Sequence, residues 1–216
     1  MALKENVRAD WNIFASEVED EFHVTDTQMV WNMESTDAEP VITPAIAKNF
    51  VWAVQAVDNG IYAICQDEAL GGLETSSNIA SIHTSETTID ILSSQRSNVM
   101  SNLDNMCATI QAVFELAGAE AKSSDGYPAW KMKADSKLQE IVVASYKKLF
   151  GKDPIVRGIH AGLECGLFSE RYPNLDMVSF GPTLRFVHTP DERLHIPTVQ
   201  MVWDHLLDVL KNIPQK

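Results

Sequence analysis

Hydrophobic positions change their spacing several times along this chain, and the spacing alone predicts most of its elements. Val7, Trp11 and Phe14 recur at helical intervals and predict a helix; Phe22, Val24, Met29 and Val30, in the Thr-bearing stretch that follows, predict a strand. Pro44 to Val57 predict a second helix, with Thr43 as its cap, Pro44 at the first helical position and Asp58-Asn59-Gly60 as its stop. The pattern then turns to short alternating runs, Ile61-Tyr62-Ala63-Ile64, Ser77 to Ile82 and Thr88 to Leu92, which predict an antiparallel sheet. Met100, Leu103, Met106, Cys107, Ile110, Val113 and Phe114 return to helical spacing, and Gly118 supplies a C-terminal stop. Two helices against a small sheet are expected for this first segment.

Lys122-Ser123-Ser124-Asp125-Gly126-Tyr127-Pro128 is polar and turn-rich, which predicts a domain crossing and divides the chain into residues 1–126 and 127–216. Beyond it the pattern predicts a helix over Ser136 to Phe150, a strand over Ile155 to Ile159, a helix near Leu163 to Phe168, a strand over Met177 to Phe180 and a last helix over Pro197 to Leu210. That alternation predicts an α/β layer, yet its strands are few for a doubly wound sheet, so it reads as part of a larger one. Neither internal repeats nor low-complexity tracts are present.

Composition narrows the function classes. With 17 basic against 30 acidic residues the formal charge is -13, which repels nucleic acid and anionic membranes. Met1 to Asn12 are polar and charged without an apolar run, so neither a signal peptide nor a membrane span is expected there. Cys65, Cys107 and Cys165 are odd in number and far apart, which suits a reducing compartment, and a cytoplasmic protein is expected.

Candidate chemistry sits in the second part. Gly158-Ile159-His160-Ala161-Gly162-Leu163-Glu164-Cys165-Gly166 combines a small-residue turn after an expected strand with polar groups where open α/β sheets bind ligands. The same pattern also suits a plain strand-to-helix connection with a capping carboxylate. Gly181 to Glu192, bracketed by Pro182 and Pro190, places His188 beside Asp191 and Glu192; imidazole is the commonest protein ligand for zinc, and a carboxylate can orient it. A metal site needs three or four ligands, and the chain has neither an HxxxH nor an HxH pair. His23, His83, His195 and His205 lack a partner at ligand spacing and default to structural or solvent roles. GxSxG, GxxxxGK[ST] and GxGxxG motifs are absent, and Cys165 has no visible orienting group, which disfavours cysteine catalysis.

His160-Ala161-Gly162-Leu163-Glu164-Cys165-Gly166-Leu167-Phe168, Tyr172-Pro173, Asp176-Met177-Val178-Ser179, Gly181-Pro182-Thr183 and His188-Thr189-Pro190-Asp191-Glu192 closely resemble, in register, the C-terminal part of the aminoacyl-histidine dipeptidases. The resemblance continues back through Gly126-Tyr127-Pro128-Ala129-Trp130, Gln95-Arg96-Ser97 and Leu73-Glu74-Thr75-Ser76-Ser77-Asn78 and fades before about Phe50. It covers most of this chain and only the second half of a family member.

That resemblance implies a zinc-binding α/β catalytic domain interrupted by a smaller lid, with residues 1–126 belonging to an α+β lid of the kind that pairs subunits and residues 127–216 to the C-terminal part of the catalytic domain. It implies a hydrolase for Xaa-His dipeptides, two zinc ions in the complete enzyme and a homodimer. By the same resemblance His188 is the last metal ligand, Arg96 grips the substrate's terminal carboxylate, Asn78 faces the scissile region, Gly162 makes a backbone contact and Glu164 lies at the pocket. The other ligands and the glutamate base match nothing in this chain, so it is expected to be inactive alone. Arg185-Phe186-Val187 stands before His188 where the family commonly has small residues, which bears on the pocket mouth. A non-catalytic dimerisation module of the same fold is the alternative from another class.

Overall fold

The computed structural model describes residues 2–37, 41–65, 72–124, 126–131, 133, 135–160 and 164–214. These fall into two compact units, residues 1–41 and 42–216. In the first, α1 (Ala2–Phe22) is the expected helix. Trp11 and Phe14 on one of its faces meet the ring of Trp31, each with centroids 5.8 Å away and nearly perpendicular planes, the edge-to-face arrangement that ring quadrupoles favour. The strand expected over Phe22 to Val30 does not form. Phe22 Cα is still helical, and its carbonyl accepts from the amides of Thr25 and Asp26 in a turn, so the backbone groups that a strand would offer to a neighbour are spent locally.

The second unit begins with α2 (Pro44–Ala56), close to its expected bounds. Thr43 occupies the N-cap in an extended conformation, but its side chain makes no capping bond; its carbonyl instead takes the Ala47 amide at 2.9 Å. β1 (Gly60–Ile64), β2 (Leu73–Thr84) and β3 (Ile89–Ser97) then form an antiparallel sheet in the order β1-β2-β3. Along β3 the residues alternate between half-buried and exposed, as period-two patterning requires. α3 (Met100–Leu116) lies on the inward face, and Gly118 follows its last turn at φ 89°, a conformation that suits glycine. Ala53, Val57, Met106, Ile110 and Phe114 form the core between helices and sheet, with Ile79 and Ile91 packed against it.

After residue 127 the helices appear and the strands do not. α4 (Lys137–Phe150) starts at Ser136, whose hydroxyl accepts from the Gln139 amide at 3.0 Å; α5 (Glu164–Arg171) and α6 (Pro197–Asn212) follow. Ile155 to Ile159 and Met177 to Phe180 are not strands: among the described residues no edge lies alongside to complete a ladder, and a strand exists only as part of one. Instead, a two-residue pair, β4 (Leu184–Arg185) and β5 (Arg193–Leu194), closes the loop that the sequence pattern left irregular. The fold class is nonetheless the expected mixture of helix and sheet.

α4 and α6 pack through His205. Its Nε2 lies 2.9 Å from the Val142 carbonyl, and its ring meets Tyr146 and Phe180. A histidine with no ligand spacing is therefore structural, as expected. Asp176 joins the same group of elements: its Oδ2 accepts the Leu138 amide at 2.9 Å in the first turn of α4, where a carboxylate also meets the positive end of the helix dipole.

Candidate functional site

β2 and β3 pair with Thr75 opposite Ser97, Ser76 opposite Arg96, Ser77 opposite Gln95 and Asn78 opposite Ser94. Opposed residues share a face and successive ones alternate, so register alone sorts these side chains. Thr75, Ser77 and Ser97 lie on the buried face, where the Thr75 and Ser97 hydroxyls are 2.9 Å apart and satisfy one another. Ser76, Asn78, Ser94 and Arg96 share the opposite face, and the last three are exposed. Two expected substrate-binding residues, Arg96 and Asn78, are thus brought together.

A residue from the other side of the expected domain crossing reaches the same face. His160 Nε2 lies 2.8 Å from Ser76 Oγ. The chain before His160 runs close to the start of β2: a Cβ added at Gly72 would come to 3.0 Å from the Gly158 carbonyl oxygen, and the φ of 94° at Gly72 is a conformation that suits glycine. Burial lowers the imidazole pKa and the charge of Arg96 lowers it further, leaving His160 neutral at neutral pH. Among the described residues Arg96 forms no ion pair.

His188 lies between β4 and β5, exposed, at φ 66°, with Phe186 also left-handed at φ 55°. Neither residue is glycine, and such backbone costs on the order of 1–3 kcal/mol per residue unless its surroundings impose it. Hydrogen bonds do so here. The His188 amide donates to Glu192 Oε2 at 2.9 Å, and the Thr189 hydroxyl donates to the Phe186 carbonyl at 2.7 Å. The loop therefore holds an imidazole out to solvent on a rigid base, with Glu192 committed to the backbone.

Glu164 is exposed in the first turn of α5, and Gly162 lies outside the described residues. Burial raises the Cys165 thiol pKa and neighbouring Glu164 raises it further, which keeps it protonated and a poor nucleophile. Among the described residues no hydrogen bond or ion pair joins the Arg96 group to His188, and no three His, Cys, Asp or Glu side chains converge as a metal cluster would. His160 stands in the Gly158 to Gly166 segment that sequence reasoning singled out for its polar groups but was given no role there, and Ser76 was not a candidate, although it stands inside a motif. Their pairing is a tertiary contact between β2 and an irregular segment 84 residues further on, which no local pattern in the sequence marks.

The model for the peptidase family M20/M25/M40 matches residues 11–212. The chain belongs to this family. Among relatives of this M20 chain, the cytosol non-specific dipeptidase of Escherichia coli (strain K12) is 38% identical over 167 residues, 77% of this chain and 34% of the relative. The crystal structure of aminoacylhistidine dipeptidase from Vibrio alginolyticus superposes with a TM-score of 0.80 at 39% identity, over 98% of this chain and 43% of that one. Aminopeptidase PepT from Bacillus cereus, 15% identical with a TM-score of 0.57 over 76% of this chain and 44% of its own, shares the fold. This M20 chain therefore spans about a third of the curated relative and less than half of either structure.

Proposed function

We propose that this chain supplies the substrate-gripping sheet and one metal ligand of a zinc-dependent cytoplasmic dipeptidase that hydrolyses Xaa-His dipeptides. The observation that carries this reading is Arg96: an exposed guanidinium that forms no ion pair among the described residues, on a polar sheet face within an M20 peptidase chain. A guanidinium fork matches a carboxylate in shape and charge and would orient a dipeptide by its free end. Asn78 shares that face; in this reading it would meet the scissile region, Glu164 would stand at the pocket, and Gly162, outside the described residues, would offer a backbone contact. Residues 1–126 act as the lid and 127–216 as part of the catalytic domain.

His188 fits a zinc ligand, since its ring is exposed on a loop whose backbone is fixed independently of that ring. It can supply one bond, whereas catalytic zinc takes about three protein ligands plus water; the others, and the base, come from the part of the family fold that this chain does not span. Zinc, when bound, would polarise the peptide carbonyl and acidify water. A homodimer through the lid is supported by the outer edge of β1, where Ile61, Tyr62 and Ile64 are exposed; the same edge favours the alternative of a purely non-catalytic dimerisation module.

Calorimetric titration with zinc and an Xaa-His hydrolysis assay separate these readings. The chain alone should bind zinc weakly and turn nothing over; mixed with the remaining part of the Vibrio relative it should gain activity, and His188→Ala should abolish that gain. Tight stoichiometric binding with turnover by the chain alone would show that the ligand set is misplaced, and a dimer that never gains activity would leave the dimerisation module.

A further inference from the structure

We propose that His160 is a second donor in the carboxylate clamp, an imidazole standing beside the Arg96 guanidinium, and that Ser76 is the positioning residue that holds it there. The proposal rests on the reading that Arg96 receives a substrate carboxylate and adds to it a residue from the far side of the domain crossing.

Strand register makes Ser76 and Arg96 direct cross-strand neighbours, whose Cβ atoms stand about 4.5–5.5 Å apart in such a pair. His160 Nε2 is 2.8 Å from Ser76 Oγ, so the ring lies within reach of whatever Arg96 binds. The contact does not depend on one hydrogen bond. The Gly158 carbonyl lies close against Gly72, and a Cβ on Gly158 would be 4.0 Å from Asn98 Nδ2, so this segment touches the sheet at the start of β2 and just past the end of β3.

A hydroxyl can serve Nε2 as donor or acceptor, and the proposal takes the tautomer in which Ser76 donates. When the Ser76 hydroxyl donates to Nε2, the proton of a neutral imidazole resides on Nδ1, and among the described residues no protein group takes it up. A carboxylate has about four lone-pair sites, of which a guanidinium fork fills two, leaving acceptor capacity for a third donor. Burial and Arg96 both favour the uncharged ring, so it donates without adding a second cation against Arg96. The hydroxyl of Ser76 thus orients the donor by occupying its other nitrogen, as carboxylates and carbonyls do for imidazoles elsewhere.

The test uses this chain as it stands, with Gly-His and its C-terminal amide as probes, read by calorimetry and by the ring nitrogen shifts of His160. The wild type should prefer the free acid, and the free acid should move the His160 Nδ1 resonance further than the amide does. His160→Phe should weaken free-acid binding about tenfold, the lower end for one hydrogen bond to a charged group, and weaken amide binding less, because the bond there is to a neutral carbonyl. His160→Asn, which returns a donor, should recover part of that loss. Ser76→Ala removes one oxygen from a half-buried position and should weaken free-acid binding severalfold, which keeps the proposal testable even if His160→Phe does not fold. If Arg96→Ala removes the preference for the acid while folded His160→Phe or Ser76→Ala binds like wild type, the clamp stands on Arg96 alone and this inference is overturned. If the wild type shows no preference, or Arg96→Ala keeps it, the reading of Arg96 falls and the inference with it.

Discussion

The layer formed by α2, α3 and the three-stranded sheet and the pair formed by α4 and α6 differ in how they fill the space between their elements. In the first, Met106 is 1% exposed and is packed among Ala53, Val57, Ile110 and Phe114. In the second, the centre is an imidazole, and residues flanking the pair remain open to solvent, with Ile155 80%, Ile196 77% and Trp203 55% exposed. A sheet with a period-two stripe and two helices can close one apolar layer by themselves. Two helices bury one stripe each, and α6 carries a further stripe: Val199, Trp203, Leu207 and Leu210 recur at helical spacing on its exposed side. Burial of apolar area thus accumulates in the first layer, and specific polar contacts do more of the holding in the second.

The largest expected effect lies where the apolar layer is complete. Met106→Ala should cost about 2–5 kcal/mol, because the removed side chain leaves a cavity that close packing on every side prevents from collapsing. Urea denaturation checks it, with an unchanged slope showing that the denatured state is the same. A loss well under 1 kcal/mol would mean that the layer relaxes like a surface, and the contrast between the two regions would be lost.

Next comes a change that strikes the second region by filling space. Gly166 in α5 is buried against the chain at Pro128, and a Cβ there would stand only 2.2 Å from the Pro128 carbonyl oxygen. Backbone must then move on one side or the other, so Gly166→Ala should cost about 1–3 kcal/mol, although alanine is the better helix former by about 1 kcal/mol. Thermal unfolding followed by circular dichroism distinguishes the outcomes. A variant as stable as wild type would show that α5 and the Pro128 segment are not packed together.

Much of this was readable beforehand, and the failures share a cause. Helices carry their hydrogen bonds within one segment, so Pro44, Ser136, Gly118 and Pro197 marked their ends from sequence alone. β1, β2 and β3 were readable because each has a sequence neighbour to pair with. Ile155 to Ile159 and Met177 to Phe180 had the composition of strands without the neighbour, and β4 and β5 had the neighbour in runs too short to show a period. Among site residues, Arg96, Asn78 and His188 came from motif resemblance; strand register adds Ser76 opposite Arg96, and a long-range contact brings His160 to it, neither of which a local pattern shows.

The smallest effect expected is a change in the pH profile of the α4–α6 contact. Asp208 accepts from Lys148 Nζ at 2.7 Å and from Ser145 Oγ at 2.8 Å. The hydrogen bond from Lys148 is the larger cause and that from Ser145 the next; together they hold the carboxyl below its ordinary value. A folded-state pKa below the unfolded one, about 3.9 for aspartate, gives stability that is fully present above the unfolded value and is lost as pH falls through the folded one. Asp208→Asn removes the titration. The variant should therefore unfold at a lower temperature than wild type at neutral pH, and the two melting curves should converge as pH falls through the carboxylate range. Asp176, also held low despite burial that pushes it up, still titrates in both proteins, so the variant keeps part of its acid sensitivity. Because Lys148 is 64% exposed, added salt should shrink the difference at neutral pH. Melting temperatures that stay a constant distance apart from neutral pH into acid would show that Asp208 contributes by shape alone, and that the contact between α4 and α6 rests on His205.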